Sequence, residues 1–214
     1  MSEANGLRDY LRWHDDYDES GSRLHLRLLV VQDLIARALD ELPPGPVRMI
    51  SVCAGQGRDI LTVAKRHRRG ADVRGRLVEL DPENASRAEA DIAAHHLEGI
   101  DVRFADAGTT DAYAGAVPAD LVLVCGVFGN VSDADIELTV TRLPTLCSSG
   151  ARVIWTRYPS GNAFALLPAW FEAAGFEIDA LVTSEQESFS VGMARLEGPP
   201  SPFQPGERLF TFVR

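Results

Sequence analysis

The chain has 214 residues, of which 45% are hydrophobic, and its net charge is −10. That length and apolar content predict one domain with a single sizeable core, and the acidic balance disfavours nucleic acid and membrane as partners, since both carry negative charge. Three cysteines without close spacing indicate neither a disulfide framework nor a metal site, and the lack of a secretory start or of an apolar run of about 18 residues predicts a cytoplasmic protein.

A long amphipathic helix is predicted before the first strand. Apolar residues recur at helical spacing through "RLHLRLLVVQDLIARALDEL" (residues 23–42), and "PPGP" ends the pattern. Ahead of this helix, "LRWHDDYDES" contains Trp13 and Tyr17. That segment is either surface at the start of the helix or a lid over a ligand site, and we assign Trp13 and Tyr17 to a candidate lid.

The rest of the chain alternates between strands and helices. Short β-branched segments bounded by turn residues predict strands at 47–53, 73–80, 100–106, 119–126 and 151–158. Helical patterns occupy residues 58–67, 83–96, 133–143 and 163–174. Near the C-terminus, "FEIDALVTS" and "RLFTFV" predict an antiparallel pair across a Pro-rich connection.

This alternation predicts an α/β fold of βαβ units with right-handed crossovers. We expect a doubly wound, mostly parallel, seven-stranded sheet with helices on both faces. Residues 1–214 are predicted to form one domain, with a helical extension at 1–46 and the sheet core at 47–214. The basic cluster "KRHRRG" (residues 65–70) lies where the helix predicted at 58–67 should end and is interpreted as a solvated helix end.

The stretch "VRMISVCAGQGRD" (residues 47–59) is the first candidate for a ligand site. In an open α/β sheet, ligands bind beyond the carboxyl ends of the strands. Gly55 and Gly57 permit close approach to the main chain, and the following helix offers unpaired N–H groups. Taken alone, the stretch is equally consistent with an ordinary strand-to-helix turn.

Carboxylates at the next two strand ends favour a nucleoside ligand. Glu79 ends the second predicted strand, where it can accept hydrogen bonds from both ribose hydroxyls. Asp106 ends the third and can accept from an adenine amino group, although Asp also ends strands for local reasons. A dinucleotide site would have Gly or Ala where Ile60 stands, and the turn has no Lys followed by Ser or Thr for a triphosphate. An adenosine without phosphates is therefore predicted.

At this point the chain resembles the class I S-adenosylmethionine-dependent methyltransferases, which have a Rossmann-like fold. The resemblance rests on "VCAGQG", "LVELDPE", "VRFADA" and "ADLVLVCGVFGNVSD" and covers residues 47–158. The chain is also similar to a group of uncharacterised small bacterial methyltransferases with an N-terminal helical extension. It departs from the family at Ser51, where Asp is frequent, and at Cys53, where the first glycine is usual.

The resemblance implies S-adenosylmethionine as cofactor and identifies a set of contact residues. They are Cys53, Ala54, Gly55, Gln56, Gly57, Glu79, Leu80, Asp106, Ala107, Cys125 and Gly126. In the family pattern Glu79 holds the ribose, Asp106 and Ala107 hold adenine, and Cys125 lies near the sulfonium. The implied activity is methyl transfer by in-line displacement.

The acceptor side is predicted from the loops after the fourth and fifth strands. These loops supply Phe128, Asn130, Arg157 and Tyr158. Asn130 is the candidate catalytic residue, and its alternative role is a turn before a helix. These side chains predict a small, partly apolar acceptor positioned by hydrogen bonds. The alternatives are aminopropyl transfer from a derivative of the same cofactor and a non-catalytic binding module. No pattern indicates an oligomeric state.

Overall fold

Seven strands form one sheet in the computed structural model of the protein, which describes residue 17 and residues 19–213. The helices are α1 (Arg23–Glu41), α2 (Ile60–Arg66), α3 (Pro82–Ala94), α4 (Asp133–Arg142) and α5 (Gly161–Ala173). The strands are β1 (Val47–Val52), β2 (Val73–Glu79), β3 (Ile100–Phe104), β4 (Ala119–Val124), β5 (Cys147–Arg157), β6 (Phe176–Ser184) and β7 (Phe189–Leu196). Trp13 lies outside the described residues.

The strand order is β3-β2-β1-β4-β5-β7-β6, and β7 runs antiparallel to both of its neighbours. The predicted mostly parallel, seven-stranded α/β sheet is therefore confirmed. The chain goes from β1 outward to β3 and then returns to place β4 on the other side of β1. The carboxyl ends of β1 and β4 consequently lie side by side at the point where strand order reverses, the usual ligand-binding position in such sheets.

The predicted partner of β6 was wrong. The antiparallel pair is closed by "FSVGMARL" (Phe189–Leu196), whereas "RLFTFV" forms only isolated bridges that join Thr109 to Arg208 and Val131 to Phe212. Gly and Ala weaken the strand signal of β7. The glycine is needed, because a Cβ on Gly192 would lie 2.1 Å from Cζ2 of Trp155.

Two apolar clusters cover the faces of the sheet. One combines α1, α2 and α3 with side chains such as Met49 and Leu121, and the other combines α4 and α5 with side chains such as Val122 and Trp155. Helix α1 contributes a buried stripe consisting of Leu24, Val31, Leu34, Ile35, Ala38 and Leu39. The helix before the first strand thus packs directly on the sheet.

A buried guanidinium anchors the C-terminal end of α1. Arg69, which is only 9% exposed, donates hydrogen bonds to main-chain carbonyls at the helix end and in the following loop. The accepting residues are Leu39, Leu42, Pro43 and Gly45. The interpretation of residues 65–70 as a solvated helix end is therefore wrong for Arg69, which satisfies carbonyls that α1 leaves unpaired.

Replacing Arg69 by alanine should lower the free energy of unfolding by about 3 kcal/mol, because it leaves several buried carbonyls without donors. Urea denaturation measures the change. The control is Arg68→Ala, which removes a side chain that is 72% exposed and pairs with Asp40 at the surface. It should cost less than about 1 kcal/mol. Equal losses in the two variants would contradict the anchoring role.

Candidate functional site

A cavity of about 420 Å³ lies at the carboxyl ends of β1, β2 and β4. Many of the residues selected from the sequence line it: Tyr17, Cys53, Ala54, Gly55, Gln56, Glu79, Leu80, Asp106, Ala107, Cys125, Gly126 and Asn130. The cavity thus lies where strand order reverses, and its volume is in the range typical of small-molecule sites. Residues separated by more than 70 positions in the sequence meet around one space.

The turn after β1 has a left-handed main chain at three positions. The φ angles are 54° at Cys53, 56° at Gly55 and 66° at Gly57. Glycine adopts this region readily, whereas a residue with a side chain pays about 1 kcal/mol or more. Cys53 therefore occupies a strained position, which glycine would occupy at lower cost.

Gly57 has a packing role at the start of α2 and does not line the cavity. A Cβ at this position would lie 2.8 Å from Cδ1 of Leu77 and 2.9 Å from Cδ1 of Leu61. The absent side chain lets the turn pack closely against β2 and the new helix. Gly57, for which the resemblance implied a ligand contact, is not among the residues that line the cavity.

The carboxylate of Glu79 holds the turn and the end of β2 together. Its Oε2 accepts a hydrogen bond from Gly55 N at 2.7 Å, and its Oε1 accepts from Leu80 N at 2.9 Å and Asp81 N at 2.8 Å. A carboxylate has about four acceptor sites, so capacity remains for a ligand hydroxyl. The sequence suggested a ligand contact at Glu79 but gave no sign of this architectural role.

The C-terminal segment, residues 208–213, contacts Asp106, which follows β3. Asp106 accepts from Gly108 N at 2.8 Å through Oδ1 and from Arg208 Nη1 at 2.8 Å through Oδ2. Phe212 of the same segment lines the cavity. A ligand amino group at Asp106 must therefore share this carboxylate with Arg208.

The two thiols in the wall are neutral. Burial raises the pKa of both thiols, and the Glu79 and Asp106 carboxylates add to the effect at Cys53. A thiolate nucleophile is disfavoured at both positions, because the thiolate is the reactive form. Burial likewise raises the pKa of Asp59, whose Oδ1 accepts from Ile60 N at 2.7 Å and caps α2.

Asn130 borders the cavity beside Gly126. Its Nδ2 donates to Gly126 O at 2.7 Å, and its main-chain oxygen accepts from Val213 N at 3.0 Å. The side-chain amide is thereby oriented, with Nδ2 committed to the turn after β4. This geometry accommodates either of the two roles predicted for Asn130.

A second, smaller pocket of about 50 Å³ adjoins the cavity at Gly126 and Asn130. Arg157 and Tyr158 line it, as does Arg23 of α1. Phe128 does not contribute an aromatic wall, which corrects its assignment to the acceptor site. Its side chain is fully buried in the cluster under α4 and α5, because the turn after β4 directs it into the core.

Tyr17 lies against the cavity beside α1. Its hydroxyl accepts from Arg27 Nη2 at 2.8 Å, the guanidinium of Arg58 lies 5.8 Å from its ring centroid, and burial raises its pKa. Sequence reasoning missed several other residues of the wall, namely Arg27, Leu28, Val31, Arg58, Asp59, Asp81, Pro82, Asn84 and Phe212. The helical periodicity of residues 23–42 contained a usable signal, since Leu28 and Val31 both stand at its apolar positions.

Two further searches cover only the described part of the chain. Within it, no helix is long and apolar enough to cross a membrane. The same residues contain no group of three or more His, Cys, Asp or Glu side chains that could hold a metal ion.

No family model and no curated protein matches the chain. Many solved structures share its fold. Magnesium protoporphyrin IX methyltransferase from Synechocystis, with bound S-adenosylhomocysteine, superposes with a TM-score of 0.69 at 12% identity, over 87% of this chain and 93% of that chain. The CurJ carbon methyltransferase gives 0.67 at 11% identity, over 88% and 58%. The [4+2]-cyclase SpnF gives 0.57 at 14% identity, over 81% of each chain.

These neighbours identify the architecture. The protein has the fold of the class I S-adenosylmethionine-dependent methyltransferases, as the sequence motifs predicted. The presence of a cyclase among the neighbours means that the reaction must be argued from the site.

Proposed function

We propose that the protein binds S-adenosylmethionine in the cavity and transfers its methyl group to a small-molecule acceptor by in-line displacement. The observation that carries the proposal is the convergence of the left-handed turn at Gly55 with the carboxylates of Glu79 and Asp106 around one cavity. A neighbour of the same fold holds this cofactor and its demethylated product in crystal structures.

The chemistry of the wall fits the proposed cofactor. Glu79 retains acceptor capacity for a ribose hydroxyl, and the exposed Leu80 offers an apolar surface for the adenine ring beside Asp106. The turn from Cys53 presents its main chain to the methionine portion. The neutral thiols of Cys53 and Cys125 border this portion without placing a competing nucleophile there.

Methyl transfer requires little chemistry from the protein. The cofactor supplies a methyl group activated by its sulfonium. The chain then has to hold the acceptor in line and exclude water, and such positioning can contribute about 7 kcal/mol or more. Tyr17, Leu28 and Val31 cover the cavity from the side of α1, which fits the exclusion of water.

Aminopropyl transfer to a polyamine is disfavoured by charge. A polyamine acceptor needs carboxylates, whereas the smaller pocket next to Gly126 is lined by Arg23 and Arg157. Like charges at short range repel each other, most strongly in a desolvated site. A non-catalytic binding module is the second candidate, because the amide of Asn130, the proposed catalytic residue, donates to Gly126 O as a turn residue would.

Calorimetry with S-adenosylmethionine and S-adenosylhomocysteine tests the binding step. We expect both to bind the full chain, and we expect labelled methyl groups to appear in products when small-molecule fractions are supplied as acceptors. Absence of binding would refute the proposal. Binding without transfer to any fraction would favour the non-catalytic module.

Asn130→Ala should lower turnover more than about tenfold and leave affinity for S-adenosylhomocysteine within about twofold, as expected for a contact made mainly in the transition state. Nδ2 of Asn130 is committed to Gly126, so Oδ1 is the atom left to orient the acceptor. Steady-state kinetics with the first acceptor identified measures the effect. Asn162→Ala, at an exposed position in α5, is the control. A variant with normal turnover and lower stability would make Asn130 a turn residue only.

A further inference from the structure

The smaller pocket beside the cavity is cationic. Three of its lining residues are arginines, Arg23, Arg27 and Arg157, and no Asp or Glu belongs to its wall as far as the structure describes the chain. The protein as a whole has a net charge of −10, so this grouping runs against its average charge. A low-dielectric recess lined by one sign of charge attracts ligand groups of the opposite sign.

Arg23 is held at the rim in a fixed orientation. Its Nη1 donates to the hydroxyl of Tyr158 at 2.8 Å, and its guanidinium carbon lies 5.1 Å from the centroid of that ring. Within the described residues no carboxylate forms an ion pair with Arg23. Stacking on Tyr158 therefore orients a planar cation whose charge is not neutralised by a described carboxylate.

Arg157 is held by contacts of its own. Its Nη1 donates to Phe128 O, and its Nη2 lies 3.7 Å from Oδ1 of Asp133, which is beyond hydrogen-bond distance. Its side chain is only 16% exposed, and among the described residues its buried Nε has no hydrogen-bond partner. The guanidinium is thus held in place while its charge is only partly compensated.

From these contacts we infer that the methyl acceptor carries an oxyanion group, a carboxylate or a phosphate, and that Arg23 and Arg157 bind it in this pocket. The inference rests on the proposed function, since it specifies the acceptor of that reaction. Guanidinium groups pair with both oxyanions through two parallel hydrogen bonds. Because the pocket meets the cavity at Gly126 and Asn130, an anion bound there lies beside the position proposed for methyl transfer.

Matched small probes test the inference on the full chain at saturating S-adenosylhomocysteine. Benzoate and benzamide have nearly the same shape and differ in charge, and phenyl phosphate supplies the other oxyanion. We expect at least one of the two anions to bind about tenfold or more tightly than benzamide in calorimetric titrations. The better of the two anions distinguishes a carboxylate acceptor from a phosphate acceptor.

Substitutions of the arginines show whether the anion binds in this pocket. Arg23→Gln and Arg157→Gln should each weaken anion binding about tenfold or more and leave affinity for S-adenosylhomocysteine within about twofold. Arg87→Gln, on the exposed side of α3 where Arg87 pairs with Glu83, should change neither affinity. If Arg157→Gln fails to fold, Arg23→Gln at the rim decides alone, since Arg23 contributes to no buried cluster.

The inference is overturned if benzamide binds as well as both anions, if neither anion binds protein that holds S-adenosylhomocysteine, or if Arg23→Gln leaves anion affinity unchanged. Failure of the proposed function has a different signature, which is absence of S-adenosylhomocysteine binding. Titrations of benzoate without that ligand then decide whether the pocket takes an anion at all.

Discussion

Glu79→Ala is expected to weaken binding of S-adenosylhomocysteine about a hundredfold or more. Charge-assisted hydrogen bonds contribute about 1.5 to 3 kcal/mol each, and the variant loses those that we propose between Glu79 and the ribose. It also loses the bonds by which the carboxylate holds the main chain of Gly55 and the end of β2. Calorimetry measures the affinity, and circular dichroism checks that the variant is folded.

Two further variants are controls, one for the position of the carboxylate and one for its charge. Glu83→Ala removes a nearby carboxylate that lies on the exposed side of α3 and pairs with Arg87, so affinity should remain unchanged. Glu79→Gln keeps an oxygen acceptor without the charge, and its affinity should fall between those of the parent and the alanine variant. A folded Glu79→Ala protein with parental affinity would refute the ribose assignment.

Gly55→Val should abolish measurable binding of the cofactor. The φ angle of Gly55 is 56°, a conformation that β-branched residues essentially avoid. A side chain would also stand beside the main chain that lines the cavity and whose N–H is bound to Glu79. Calorimetric titration with S-adenosylhomocysteine measures the loss.

The control for backbone strain is Gly115→Val. Gly115 has a φ angle of 84°, and a Cβ there meets no atom within 4 Å. This variant should lose stability for the same conformational reason, by about 1 to 3 kcal/mol, and keep its affinity for the cofactor. If Gly55→Val binds as well as Gly115→Val, the stretch after β1 is an ordinary turn.

The parts of the fold that the sequence predicted are those with local signals. Strands β1 to β6 have β-branched or apolar runs, and the glycine turn and Glu79 stand at strand ends that any parallel sheet brings together. The cavity wall from β1, β2 and β4 followed from this pattern. Glu79 was selected by its position at a strand end, and it lines the cavity; its contact with a ligand stays a prediction.

The parts that the sequence did not predict depend on long-range packing. Gly192 looks unfavourable for a strand until the indole of Trp155 is seen to occupy its space. Arg69 looks like one more cation in a basic cluster, because the carbonyls that it binds are at least 24 residues away. Phe128 was assigned to the acceptor wall since residues at a strand end face either way, and only core packing decides the direction.

Helix α1 combines two features that were described separately, an anchored end and a cavity wall. Arg69 fixes its C-terminal end through several hydrogen bonds, whereas Leu28 and Val31 cover the ligand space nearer its N-terminal end. The helix is therefore fixed at its C-terminal end and borders the cavity nearer its N-terminal end. If the cavity opens on this side, we expect the part of α1 near Leu28 and Val31 to move and the end held by Arg69 to stay in place.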